Sequence, residues 1–167
     1  LGYQQINNNG CNEGIALLVG TPYALIEGDT VEMETSPVII ETIEPPTGTV
    51  PIEERPDRLL VPLSFISDAF DAKVKWSEDN GKIIIRYAGK IGILTIDTPI
   101  VTINNNNITQ LVLNPQIIDN IVMVPIKSIA ENILDKNVAY SMGAMYVSDN
   151  EAQIDKATAH ILDKILN

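Results

Sequence analysis

Chemistry in this chain would have to come from carboxylates, serines, tyrosines and a single histidine. His160 stands between Ala159 and Ile161 in an amphipathic stretch. An isolated imidazole neither builds a metal site nor forms, alone, the base and orienting pair that nucleophilic catalysis needs, so His160 reads as a helix-surface residue. Serines are present, but no G-x-S-x-G motif holds one of them on a strained turn. The carboxylate pairs are Asp68 with Asp71 and Glu53 with Glu54. Glycosidase chemistry needs two carboxylates facing each other across a cleft. Asp68 and Asp71, three residues apart, fall instead on the polar side of a short helix and read as a solvated face. Glu78, Asp79 and Asn80 gather oxygens in one turn, yet a calcium cage needs six or more ligands around the ion, and hairpin geometry already accounts for the turn. No glycine-rich phosphate loop occurs. The residues thus predict no catalytic group, no cofactor and no metal site.

Binding chemistry has two sources. Flat aromatics suit carbohydrate: Trp76 shares a strand face with Val74 and belongs to the core, which leaves Tyr23, Tyr87 and Tyr146 as candidate ligand aromatics. Charge is the other source. The formal net charge is −11, and the stretch from Glu27 to Asp57 holds nine acids against Arg55, a net of −8. Within it, Glu44 to Asp57 (EPPTGTVPIEERPD) carries four prolines, which deny ladder hydrogen bonds and keep a segment out of a sheet. Glu44, Glu53, Glu54 and Asp57 make this acidic Pro-rich insertion the candidate interaction loop for a basic partner or a cation. Eleven scattered Lys and Arg do not predict a nucleic-acid partner. Cys11, alone, forms no internal disulfide and no cysteine zinc site. No run approaches the ~18 apolar residues of a transmembrane helix. No signal peptide stands in this chain, which begins at Leu1 and reads as a processed or excised piece.

The elements that position these residues are short. Leu59 to Tyr87 predicts a strand end, a helix starting at Val61-Pro62, and a hairpin through Asp79-Asn80-Gly81. Leu63, Ile66 and Phe70 line one helix face; Val74 and Trp76 alternate with Lys73 and Lys75. Ile121 to Pro125 repeats the motif, with Ile126, Ile129, Ala130 and Ile133 on the second helix and Val138 and Tyr140 after it. This predicts an internal duplication. Pro22 to Pro62 spans 40 residues and Pro99 to Pro125 spans 26, so the first copy carries an insertion where the Pro/Glu-rich stretch lies. Further hairpins are predicted around Glu27-Gly28-Asp29 and Asn104 to Asn107, with strands over Ile15–Val19, Tyr23–Ile26, Val31–Met33, Val38–Ile40, Ile91–Ile96, Ile100–Ile103, Ile108–Leu113 and Tyr146–Val147. Asn107-Ile108-Thr109 matches a glycosylation sequon and reads as a turn asparagine. Asn150 to Leu166 predicts a C-terminal amphipathic helix with a stripe of Ile154, Ala157, Ile161 and Ile165.

The pattern V-P-L-x-F-I-x-x-A-F-x-A-x-V-x-W, an acidic-Asn-Gly turn and an isoleucine-rich strand resembles the copper amine oxidase N-terminal, or stalk, domain family. The resemblance runs from about Leu59 to Asp149, with a weaker echo from Ala16 to Val38. It implies an antiparallel sheet wrapped on helices, a non-catalytic module separate from any oxidase domain, and an extracellular or cell-wall-associated place on exported bacterial proteins. It does not imply copper. A copper site takes several histidines and a cofactor-forming tyrosine in an Asn-Tyr-acid motif, and this chain has one histidine and no Asn-Tyr pair.

The expected architecture is α+β: antiparallel strands and hairpins packed on short helices, internally duplicated, with a C-terminal helix. The expected organisation is a flexible segment over 1–14, a first strand unit with the acidic insertion over 15–58, the stalk-like domain over 59–149, and the amphipathic helix over 150–167. The expected function is a non-enzymatic, secreted or cell-surface module for spacing, self-association or attachment, with protein or cell-wall partners of unknown identity. The alternative is a module binding cell-wall glycan or peptide, and hydrolase is an outlier.

Overall fold

The computed structural model describes residues 14–40, 58–141 and 143–149. The expectations for 1–13, for the insertion from Glu44 to Asp57, and for the C-terminal helix with His160 lie outside these residues.

Fourteen strands and two short helices are seen among the described residues. The first seven strands are β1 (Ile15–Leu18), β2 (Tyr23–Ile26), β3 (Asp29–Glu32), β4 (Val38–Ile39), β5 (Leu59–Pro62), β6 (Lys73–Ser77) and β7 (Lys82–Tyr87), with helix α1 (Leu63–Phe70) between β5 and β6. The other seven are β8 (Lys90–Thr95), β9 (Ile100–Ile103), β10 (Asn107–Gln110), β11 (Gln116–Ile118), β12 (Ile121–Pro125), β13 (Asn137–Ser141) and β14 (Ala144–Ser148), with helix α2 (Ile126–Asn132) between β12 and β13. The two halves therefore run through one order of elements. All strand pairs are antiparallel. The mostly antiparallel α+β class expected from the sequence is the class observed.

The halves interlock. The first sheet has the order β13-β14-β1-β2-β3, and the second has β6-β7-β8-β9-β10. Each takes three strands from one half and a hairpin from the other. A four-stranded sheet, β4-β5-β12-β11, lies between the halves, and Val61 pairs with Val124 at its centre. Leu60 faces Pro125 on one side of that pair and Pro62 faces Met123 on the other, so the register is symmetric about it. Strands β1 and β4 join sheets built with later strands, β1 beside β14 and β4 beside β5.

Sequence explains the local geometry. Proline ends β5 and β12 and caps each helix; Pro62 and Pro125 take the N-cap position rather than the first helical one, with extended ψ of 141° and 104°. Asp71, at φ 57°, closes α1 in the left-handed conformation, its N–H donating to the Ser67 carbonyl at 3.0 Å. Glu27-Gly28, Ala88-Gly89 and Asp119-Asn120 are two-residue turns with positive φ at both positions, the twist that suits tight hairpins. Ile66, Phe70, Ile129 and Ile133 are buried, as their spacing predicts. Val74, Trp76 and Val138 are half-buried against the same core, because β6 and β13 are sheet edges. One continuous core runs through the inner faces of both five-stranded sheets, both helices and one face of the four-stranded sheet; Leu60, Leu113 and Met123 pack on its other face.

Two strand expectations are corrected. The strand expected to reach Leu113 stops at Gln110: Leu111 still donates its N–H to the Pro99 carbonyl at 2.8 Å in the same register, but Pro99 has no N–H to return the bond. Strand β11, unforeseen, pairs with β12 through the Asp119-Asn120 turn.

Candidate binding surface

A concavity lies where the end of α1 meets the β7–β8 turn. It is an open groove of about 670 Å³. Phe70 and Tyr87 form its apolar wall, and Lys73, Arg86 and Lys90 bring positive charge to it. Antiparallel register puts Lys73 directly opposite Arg86, both exposed. Neither has an ion-pair partner among the described residues. Lys90 is held in place: its Nζ donates to Asp135 Oδ1 at 2.7 Å and to the Asn132 carbonyl at 3.1 Å. Like charges facing each other across a ladder disfavour the pair, so Lys73 and Arg86 favour a counter-charge at this end of the sheet, where the Asp71 carboxylate also lines the groove.

Tyr87 also borders a second, smaller cavity of about 190 Å³ that reaches Gly14, Glu27 and Asp149. Lys136 lies in it with its side chain only 12% exposed. Its Nζ donates to Asp149 Oδ1 at 2.7 Å and stands 5.4 Å from the Tyr87 ring centroid. Burial is the largest single influence on Lys136 and lowers its pKa. Hydrogen bonds and charge interactions with Asp149 and Tyr87 together outweigh it and hold the ammonium above the ordinary lysine value. Lys136 thus ties β7 of the second sheet to the end of β14 in the first.

The residues singled out by sequence fall in different places. Tyr87 borders both cavities. Tyr23 is 47% exposed on β2, away from the groove lining. Tyr146 is 1% exposed and offers no face to a ligand, which corrects the expectation for it: its side of β14 is buried together with Ala16, Ala144 and Ser148. Asp68 and Asp71 are exposed at the end of α1. The Asn80 carboxamide oxygen accepts the Lys82 N–H at 3.1 Å, a turn-closing role. Glu44, Glu53, Glu54 and Asp57 lie outside the described residues. Among the described residues no group of three or more His, Cys, Asp or Glu side chains could hold a metal ion, and no helix is long and apolar enough to cross a membrane.

Sequence reasoning missed the cationic set. Lys73, Lys75, Lys82 and Arg86 are all exposed on one outward face of β6 and β7. Their signal was the same alternation that placed Val74 and Trp76 inward, read in its other phase. Four of the eleven cationic side chains are therefore gathered rather than scattered. No curated protein and no solved structure matches the chain. The strand-helix-hairpin units that build this surface lie within residues 44–148, which match the family model of the copper amine oxidase N-terminal domain, and the chain belongs to that family.

Proposed function

We propose that this chain is a non-catalytic structural module of an exported protein, working at the cell surface or in the cell wall by spacing, self-association or attachment. The N-terminal domain of copper amine oxidases is a non-catalytic module, and the chain's single histidine fits a role without copper. The observation that carries the reading is the interlock. Each five-stranded sheet contains strands from both halves, and the β5–β12 pairing joins them at the centre. Pulling the halves apart must break strand pairs in all three sheets at once, which suits a spacer. The matching element order and symmetric register also support an internal duplication, with the acidic insertion from Glu44 to Asp57 added to the first copy as an interaction loop.

Retention on purified cell-wall polysaccharide and peroxide release from amines with added copper test this reading. A spacer retains no polymer and releases no peroxide. Tight stoichiometric copper with amine oxidation would overturn it. Saturable retention on polysaccharide, lost in Tyr87→Ala, would favour the second reading, a glycan- or peptide-binding module built on the groove beside Tyr87.

A further inference from the structure

Among the described residues the two five-stranded sheets end in four edge strands: β13 and β3 in the first, β6 and β10 in the second. Edge strands carry a row of N–H and C=O groups open to another strand. Two of these edges, β10 (NITQ) and β13 (NVAYS), have no charged residue. The other two are charged, and with opposite signs. Strand β3 (DTVE) carries Asp29 and Glu32, with Glu27 and Glu34 exposed beside it. Strand β6 (KVKWS) carries Lys73 and Lys75, both exposed and without an ion-pair partner among the described residues, with the acids Glu78 and Asp79 exposed just past its end.

Their faces match as well. In β3, Thr30 and Glu32 point outward while Val31, opposite Ala24, points to the core side. In β6, Lys73 and Lys75 point outward while Val74 and Trp76, opposite Ile85 and Ile83, point to the core side. Val31, Val74 and Trp76 are each only half-buried, unlike Ile83 and Ile85 one strand further in. A parallel register with Glu32 opposite Lys75 fits the hydrogen-bond phase of both edges, because Glu32 on β3 and Val74 and Trp76 on β6 turn their backbone groups to the open side; it sets Val31 opposite Val74. Acid then lies beside lysine outside, and valine beside valine inside.

From this we infer that copies of the chain associate head to tail, the acidic edge β3 of one copy pairing with the basic edge β6 of the next. This deepens the self-association branch of the function proposed above and rests on it. Two β3 edges, or two β6 edges, would set like charges against each other, so each edge rejects its own kind and accepts the other. Each copy offers one of each, so the contact is heterologous and builds an open chain or a ring rather than a closed two-fold dimer. The net charge of −11 opposes association at long range, but at 0.15 M salt charges beyond about 8 Å are largely screened while directly facing side chains are not.

Sedimentation of the full chain over a wide concentration range at that salt tests the inference. Trp76, the single tryptophan, gives an independent signal from the β6 edge itself. We expect mass to rise with concentration and tryptophan emission to shift to the blue in step. Lys75→Glu and Glu32→Lys, both at exposed positions, should each weaken association about tenfold, and the double variant carrying both should restore it. A wild-type chain that stays monomeric would overturn both the edge pairing and the self-association reading. A chain that associates equally well with Lys75→Glu, or a double variant that is not restored, would overturn the edge pairing alone.

Discussion

Gly92 offers the sharpest test of how the second sheet meets the second helix. It lies mid-strand in β8, buried, between Ile85 and Ile103 on the neighbouring strands. A methyl group there would overlap Ile133 Cδ1 and stand 2.7 Å from Ile133 Cγ1. Ile133 is itself 1% exposed at the end of α2, so it has little room to withdraw. Strand preference alone would make alanine slightly better than glycine at this position. The overlap reverses that sign, and overpacking a dense core costs about 1–3 kcal/mol. At about 2 kcal/mol, the midpoint of thermal unfolding should fall by about 4–8 °C for a chain of this size. Ile133→Val removes the atom nearest the new methyl and alone should cost about 0.5–1.5 kcal/mol. If the overlap is the cause, Gly92→Ala should cost less in the Ile133→Val background, with a coupling of at least about 0.5 kcal/mol. Urea unfolding of all four proteins closes the cycle, with unchanged m-values showing that the unfolded states are comparable. A loss below about 0.5 kcal/mol for Gly92→Ala, or strict additivity, would refute the steric argument.

Phe70→Ala should cost about 3–5 kcal/mol in urea unfolding, since the ring is buried and meets Phe65 edge to face at 6.5 Å. Ala88→Asn should gain about 0.5–1 kcal/mol, because Ala88 sits at φ 48° before Gly89 and asparagine tolerates that conformation better; no gain in thermal midpoint would mean the turn is not strained. The raised pKa of Lys136 means that its contribution to stability is fully present below the unfolded lysine value and is lost as pH rises through the higher folded one. From about pH 10 upward the wild type should therefore lose more stability than Lys136→Met, and parallel pH profiles would remove Lys136 from the account.

Local rules made much of the fold readable. Proline before an i, i+3, i+7 apolar face located both helices, and the phase of alternation placed Val74 and Trp76 inward. Turn chemistry located the Glu27-Gly28 and Asn80-Gly81 hairpins. What could not be read was which strands become neighbours. Nothing in Ile15–Leu18 announces that it pairs with Ala144–Ser148, more than a hundred residues later, because antiparallel pairing depends on tertiary packing rather than on local pattern. The same blindness misplaced Tyr146. Alternation puts it on the side of β14 away from the main core, and such a residue reads as free until that side also proves to be buried. Lys136 was invisible for a related reason. Its partners Asp149 and Tyr87 come from two different sheets, and only the assembled fold brings them to one ammonium.

The interleaving of the sheets also sets an order in time. The second sheet is a meander of consecutive strands from Lys73 to Gln110, each next to its neighbour in sequence. Such local pairing closes small loops and forms early. The first sheet cannot be completed so early: β1-β2-β3 and β13-β14 are local hairpins, but the β1–β14 pairing that joins them links strands more than a hundred residues apart. On a ribosome or in a translocation channel, Ile15 to Leu18 can pair with β2 at once, but its other edge must wait open until Ala144 to Ser148 arrives. During that interval the open edge of β1 is exposed to capture by a chaperone or by another nascent chain.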